Sequence, residues 1–490
     1  MPSTTVVLAI SVGYLVACLA LGMWPSKKSS ASSEGFVAGD RGLGLLLMYF
    51  ITGATIFSAF AFLGAPGWAY SKGAAGFYIL GYGALGLVPF YFIGPRASRV
   101  GREYGFVTQA QMMSVRFDMP AIAGMMAIVS IVAFVPYLAL QMQGAGYVVE
   151  TMTNGDVPAW SGALVVYVVV TAYVLKSGVL GVGWTNTFQG IFMMALAWGL
   201  GLYLPHELYG GIDELFARIA AERPDHLLAP GKTSAGQPWS WSEYSSAVII
   251  SIVGFSMWPH LFMKSFTAKS EETIRRTVLL YPTFQIFLVP LFIIGFCGVF
   301  FEPPPARADQ ILPHILMNTQ IPSVIVGLFC AGALAASMSS GDAMAHAAAS
   351  IAVRDGVVEA AKKKLEPNAE RRWIRIVVVL VMIAAYGVAI VYKGSLVFLL
   401  LTTYGAVVQF APGVLACLYL PRVRGRSVLA GMIAGSAVTG VFVAFPEWRP
   451  FAIHAGAYGL VVNVVVLALV NLGATARDEA RRFVEIAARE

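Results

Sequence analysis

Apolar runs of about twenty residues recur roughly thirteen times along the chain, each long enough to cross a ~30 Å hydrocarbon core as a helix. Short polar loops separate them. Composition agrees, since 58% of the 490 residues are hydrophobic and 12% are charged, against about 25% charged in soluble domains. The expected fold is an all-α polytopic membrane protein, a single transmembrane domain over 1–490. Its spans lie near 4–24, 44–71, 74–95, 119–149, 159–177, 181–206, 243–264, 276–302, 322–354, 372–393, 395–420, 426–446 and 452–475, with a tail at 476–490.

The first run has neither a basic n-region nor a small-residue cleavage site, so it reads as a retained helix and not a signal peptide. Most of the 33 Lys and Arg fall in alternate loops. That asymmetry orients the chain with its N-terminus outside and its C-terminus inside. The +7 net charge therefore belongs to a membrane surface, and no nucleic-acid partner is expected. Cys18, Cys297, Cys330 and Cys417 lie within apolar runs without CxxC spacing and read as free, buried side chains. The outer loop 207–242 contains IDELFARIAAE, a short surface helix. The inner segment RDGVVEAAKKKLEPNAERR reads as a basic amphipathic helix on anionic headgroups.

Two spans are interrupted. FITGATIFSAFAFLGAPGWAY carries Gly53, Gly64, Pro66 and Gly67 with Thr55 and Ser58, and VIISIVGFSMWPHLFMK carries Gly254, Ser256, Pro259 and His260. Either alone is compatible with the ordinary frequency of Gly and Pro in transmembrane helices. The pair stands at the second and seventh spans, where the halves of an inverted five-helix repeat begin, and matched interruptions point to a binding site at mid-membrane.

A third stretch, ALAASMSSGDAMAH at 333–346, places Ser339, Asp342 and His346 on one helical face, with Ser340 beside them. A carboxylate at the bilayer centre costs roughly 2.5–3.5 kcal/mol on insertion scales, so it faces a partner, a cavity or an ion. Hydroxyls and free carbonyls are hard oxygen ligands suited to Na⁺. The alternative is close helix packing through small residues, with Asp342 bonded to His346.

GATIFSAFAFLGAPG (53–67), PYLALQMQGAGYVVE (136–150), GVLGVGWTNTFQG (178–190), MWPHLFMKSFTAKS (257–270), ALAASMSS (333–340) and QFAPGVLACLYLPR (409–422) together resemble the sodium:solute symporters, nearly end to end. The resemblance implies a five-plus-five inverted-repeat core with broken first and sixth core helices. An extra N-terminal helix (about 4–24) precedes repeat one (about 44–206) and repeat two (about 243–420), and C-terminal helices follow (about 426–475). It implies Na⁺ as coupling ion, held by carbonyls of Ala54, Phe57 and Ala336 and hydroxyls of Ser339 and Ser340. It suggests Ser58, Tyr137, Gln141, Phe255, Trp258 and Tyr404 as substrate-lining residues. Two positions depart from the family pattern: Asn186 stands where many members have an acid, and Ile56 where the proline transporters have Asp. Asp342 stands where the sialic acid branch has a hydroxyl ligand, so Asp342 with Asn186 is a candidate second cation site.

The expectation is a non-enzymatic secondary transporter in a bacterial cytoplasmic membrane. It is read as a monomer among membrane lipids that couples Na⁺ entry to uptake of a small organic solute by alternating access. A short monocarboxylate is the first substrate expected, since no transmembrane Arg or Lys suited to a bidentate clamp is evident and a half-helix N-terminus can hold an anion. The alternatives are an amino acid such as proline, or pantothenate; a proton-coupled carrier using Asp342 and His346; and a transport-like sensor, which a chain ending at Glu490 without a kinase makes the least expected.

Overall fold

The computed structural model describes residues 2–23, 41–231, 239–394 and 396–489; parts of the first inner loop and of the long outer loop lie outside these. The principal helices are α1 (Thr4–Met23), α2 (Leu45–Ile56), α3 (Ala65–Lys72), α4 (Pro120–Met152), α5 (Ala159–Tyr209), α6 (Trp241–Phe255), α7 (Pro259–Phe262), α8 (Lys264–Thr267), α9 (Glu271–Gln285), α10 (Ser323–Ile351), α11 (Leu396–Val407), α12 (Gly425–Ala444), α13 (Ala455–Val470) and α14 (Asp478–Ala488). Among the described residues no strand forms. In a chain of such apolar runs the backbone satisfies itself along each helix, as hydrocarbon requires.

Ten helices are long and apolar enough to cross a membrane, or eleven when the bent pair Trp241–Phe255 and Pro259–Thr267 counts as one span. Two shorter apolar helices, Leu45–Ile56 and Ala455–Val470, stand where the inner half of the second expected span and the thirteenth span were read. Three local expectations need correction. α5 continues without coil where a loop was expected near 178–180, and holds the two spans Ala159–Lys176 and Val182–Tyr209. The inner basic segment is not a separate helix on headgroups: Ala352–Ala360 continues α10 as a π-helix. It is docked on the protein because Val353 and Asp355 are buried, Asp355 accepting from Thr108 Oγ1 at 2.5 Å. Gly64 and Pro66 do not form the first break, which lies at Phe57–Ser58; they sit beyond it, where the wide π-turn Phe60–Gly64 leads into α3. A wider turn accommodates a proline that offers no amide hydrogen.

α10 is the central post. The most apolar 18-residue window of Ser323–Ala360 is 83% buried, against 22% for Thr4–Leu21 at the periphery, and α10 packs against α1, α2, α4 and α5. Its Ala, Gly and Ser residues let those backbones approach closely. α12 and α13 pair with each other at the outside of the bundle.

A loop between α9 and α10 covers the outer end of the core. Arg307 Nη1 donates to Tyr147 Oη of α4 at 2.8 Å, and Gln310 Nε2 donates to Glu150 Oε2 at 2.9 Å. Asp309 Oδ2 accepts the Leu396 amide at the start of α11 at 3.1 Å, and its Oδ1 lies so close to α3 that a Cβ at Gly67 would meet it at 2.8 Å. Burial pushes the Asp309 carboxyl up to about 6, although the Leu396 amide, Arg307 and Lys72 act in the opposite direction. Between its unfolded value near 4 and about 6 the folded protein therefore holds more protons than the unfolded chain. Stability from this group falls as pH rises through that window. Asp309→Asn should accordingly raise the unfolding free energy at pH 7, by about 3 kcal/mol at most, and the gain should vanish towards pH 4. A gain of the same size at both pH values would contradict this.

Candidate functional site

The break between α2 and α3 releases backbone oxygens deep in the protein. α2 ends at Ile56, and Phe57 leaves helical geometry at φ −76°, ψ 75°. The amides that would have closed the next helical bonds go elsewhere: Ser58 N to Ile56 O (2.9 Å), Ala59 N to Gln141 Oε1 (2.8 Å) and Ala61 N to Ser58 O (2.9 Å). The carbonyls of Ala54, Thr55 and Phe57 thereby lose their i+4 partners. An unsatisfied polar group in such surroundings costs several kcal/mol.

α10 answers that need with hydroxyls. Ser339 Oγ donates to Ala54 O at 2.9 Å and lies 3.2 Å from Ala336 O, while Ser340 Oγ donates to Thr55 O at 2.6 Å. All these residues are fully buried. α4 holds the other side, where Gln141 caps the Ala59 amide and its own carbonyl accepts Ser337 Oγ at 2.7 Å. This contact needs Gly144, since a Cβ there would stand 2.4 Å from that of Ala59. Each serine hydroxyl keeps oxygen lone pairs beyond the hydrogen bond it donates. The cluster consists of neutral, hard oxygens, which fits a monovalent hard cation better than a divalent one that gathers carboxylates.

Asp342 lies about one turn further along α10. Its Oδ2 accepts Tyr173 Oη at 2.8 Å and Thr185 Oγ1 at 3.5 Å, both from α5. Its Oδ1 has no hydrogen-bond partner among the described residues. Asn186 donates Nδ2 to Thr55 Oγ1 at 3.2 Å, and its Oδ1 is likewise unpartnered.

Beside the break is a small cavity of about 20 Å³, room for about one water, walled by Phe57, Tyr137, Phe255, Trp258, His260 and Tyr404 among others. Aromatic packing shapes it, with Trp258 5.0 Å from Tyr137 and 6.0 Å from Tyr404 between ring centroids. Trp258 belongs to the second break, where α6 ends at Phe255 and Pro259 starts α7 after a bend of 42°. Ser256 Oγ donates to Gly86 O at 2.7 Å and fixes that bend. Trp258 Nε1 and His260 Nδ1 are buried without hydrogen-bond partners among the described residues.

The first broken helix, held to α10 by serine hydroxyls, and the second beside it are matched by sequence over most of the chain, since the profile of the sodium:solute symporter family covers residues 36–435. The chain belongs to that family. The symporter is 28% identical to the uncharacterized symporter YhjB of Bacillus subtilis (strain 168), over 95% of its own length and 96% of the relative's. It is 21% identical to a monocarboxylate transport permease protein of Rhizobium johnstonii, over 95% and 96%. Among solved structures, a Na⁺-coupled sialic acid symporter in a substrate-bound outward-open state shares the fold with a TM-score of 0.79 at 18% identity, covering 96% of this chain and 99% of that one. Mhp1, a nucleobase-cation-symport-1 family transporter in a closed conformation, aligns with a TM-score of 0.57 at 15% identity, covering 94% and 99%.

In the symporter, Ala54, Ala336 and Ser339 come together by direct contact, Ser340 stands one carbonyl along at Thr55, and Phe57 contributes both the break and a wall of the cavity. Tyr137, Phe255, Trp258 and Tyr404 line the cavity. Ser58 and Gln141 are not among its walls; they organise the break, Ser58 Oγ accepting the Phe60 amide at 3.2 Å. Sequence reasoning passed over Tyr173 and Thr185, which no spacing along α10 reveals. Lys264, which counts among the inner flanking charges in the sequence, is embedded in FMKSF and only 6% exposed. Replacing Gln141 with Leu should leave the Ala59 amide orphaned, at about 1–3 kcal/mol. The sodium concentration for half-maximal thermal stabilisation should rise about tenfold or more, and an unchanged midpoint would deny Gln141 this role.

Proposed function

We propose that the chain is a Na⁺-coupled symporter of a short monocarboxylate, working by alternating access in a bacterial cytoplasmic membrane. One observation carries the sodium assignment: oxygens freed by the break in α2–α3 face the Ser339 and Ser340 hydroxyls across a fully buried interface. Carbonyls of Ala54, Phe57 and Ala336 with both hydroxyls would hold the ion, and Asp342 with Asn186, each with an unpartnered oxygen, would hold a second. A bound cation supplies countercharge to oxygens that hydrocarbon cannot solvate, and so ties α2 to α10. The repeats near 44–206 and 243–420 are the halves that move against each other.

The substrate reading rests on the central cavity. Its walls, as described, are aromatic or aliphatic apart from His260 and Gln285, and hold no carboxylate to receive the ammonium of an amino acid. Unpartnered Trp258 Nε1 is a hydrogen-bond donor suited to a small carboxylate, and His260 offers a second nitrogen beside it. The matching permease's name points the same way.

Proteoliposomes given labelled acetate, lactate, pyruvate, proline and pantothenate under an inward sodium gradient test this reading. Monocarboxylate uptake should collapse when choline replaces Na⁺ at fixed pH. Uptake that persists without Na⁺ and falls with a proton ionophore would support coupling through Asp342 and His346 instead. Trp258→Phe, which keeps an aromatic ring and removes the N–H, should raise KM roughly tenfold or more, as loss of a hydrogen bond to a charged group predicts. An unchanged KM would remove Trp258 from the carboxylate site.

A further inference from the structure

Lys264 opens α8 on the inner limb of the second broken span and is almost wholly buried. It borders a second small cavity with Val182 of α5, His260, Met263, and Ala343 and His346 of α10. His260 is shared with the central cavity, so this space adjoins it on the side towards the basic inner loops. Ala343 is the neighbour of Asp342, whose Oδ1 is unpartnered among the described residues. None of the ion pairs within 4 Å among the described residues includes Lys264 or Asp342. Val182 on the cavity wall accepts Thr185 Oγ1 on its carbonyl at 3.0 Å, and Thr185 Oγ1 lies 3.5 Å from Asp342 Oδ2, so the cavity that Lys264 borders adjoins the turn of α5 that meets the carboxylate.

A lysine beside a shared cavity but outside ion-pair range of the carboxylate has a definite chemical meaning. A closed Lys–Asp ion pair would block the carboxylate, whereas a distant lysine would not influence it. A lysine ammonium is a compact charge on a flexible four-carbon stem. Standing off from an open carboxylate oxygen, it leaves room for a smaller ion while remaining the nearest replacement for it. Emptied of its ion, a symporter has to return across the membrane, and a bare carboxylate at that depth is unfavourable.

We propose that Lys264 is a tethered cation that competes with sodium for Asp342, closing on the carboxylate when the second sodium leaves. The proposal rests on the sodium-coupled reading and on Asp342 as a cation ligand. It assigns to the protein itself the charge that accompanies the empty carrier.

The test is a thermal-shift titration of the purified full-length protein in detergent with NaCl, choline chloride holding ionic strength constant and no solute present. Lys264→Met removes the competitor and should lower the NaCl midpoint about fivefold or more, while Lys264→Arg should stay within about twofold of the wild type. In an Asp342→Asn background Lys264→Met should have no such effect. If the methionine variant does not fold, Lys264→Gln serves in its place with the same expectation. An unmoved or raised midpoint on loss of the charge, or an equal gain in the Asp342→Asn background, overturns the tethered cation. A wild type that no sodium concentration stabilises overturns the sodium reading itself, which separates the two failures.

Discussion

Carbonyl oxygens released where α2 stops at Ile56 set the conditions for the surrounding core. In water such oxygens would simply be hydrated. At mid-membrane they must find donors or a cation, and α10 supplies two serine hydroxyls while α4 supplies the glutamine that takes the orphaned Ala59 amide. The high burial of α10, its small side chains and the close approach at Gly144 all follow from bringing three helices against one break. Hydroxyl–carbonyl bonds are individually modest, about 0.5–1.5 kcal/mol net. A weakly latched interface of this kind is one that ion binding can strengthen and ion loss can loosen.

The second break places Trp258 and His260 beside the first, and Phe57, where the first helix stops, walls the same cavity. Under the proposed reading, a change in how α2 meets α10 would move a residue that also walls the cavity. The two ends of the route differ. Outside, the loop carrying Arg307, Asp309 and Gln310 is tied to α4 and α11; inside, a small cavity borders Lys264 and His346. Both the central and inner cavities are small, near 20 Å³.

Much of this was legible in the sequence because membrane chemistry leaves few alternatives. Apolar runs announce spans, and matched Gly, Pro and Ser clusters announce breaks, since hydrocarbon makes such residues conspicuous. Ser339 and Ser340 were readable for the same reason. What stayed hidden depends on which helix faces which. Gln141 was suggested as a solute-lining residue by the family resemblance, and its side-chain oxygen accepts the Ala59 amide. Tyr173 and Thr185 meet Asp342 only through the packing of α5 on α10. Lys264, near the end of an expected span, looked like an ordinary flanking charge until the bend at Ser256–Trp258 turned its segment inward.

The central claim is that the α2–α3 break and the two serines of α10 together bind sodium. Equilibrium binding of ²²Na⁺ to the purified protein, without solute, tests it most directly. The wild type should bind saturably, and the Ser339→Ala/Ser340→Ala variant should remain folded while its half-saturating sodium concentration rises at least tenfold. Equal sodium affinity in the wild type and the folded double variant would contradict the account.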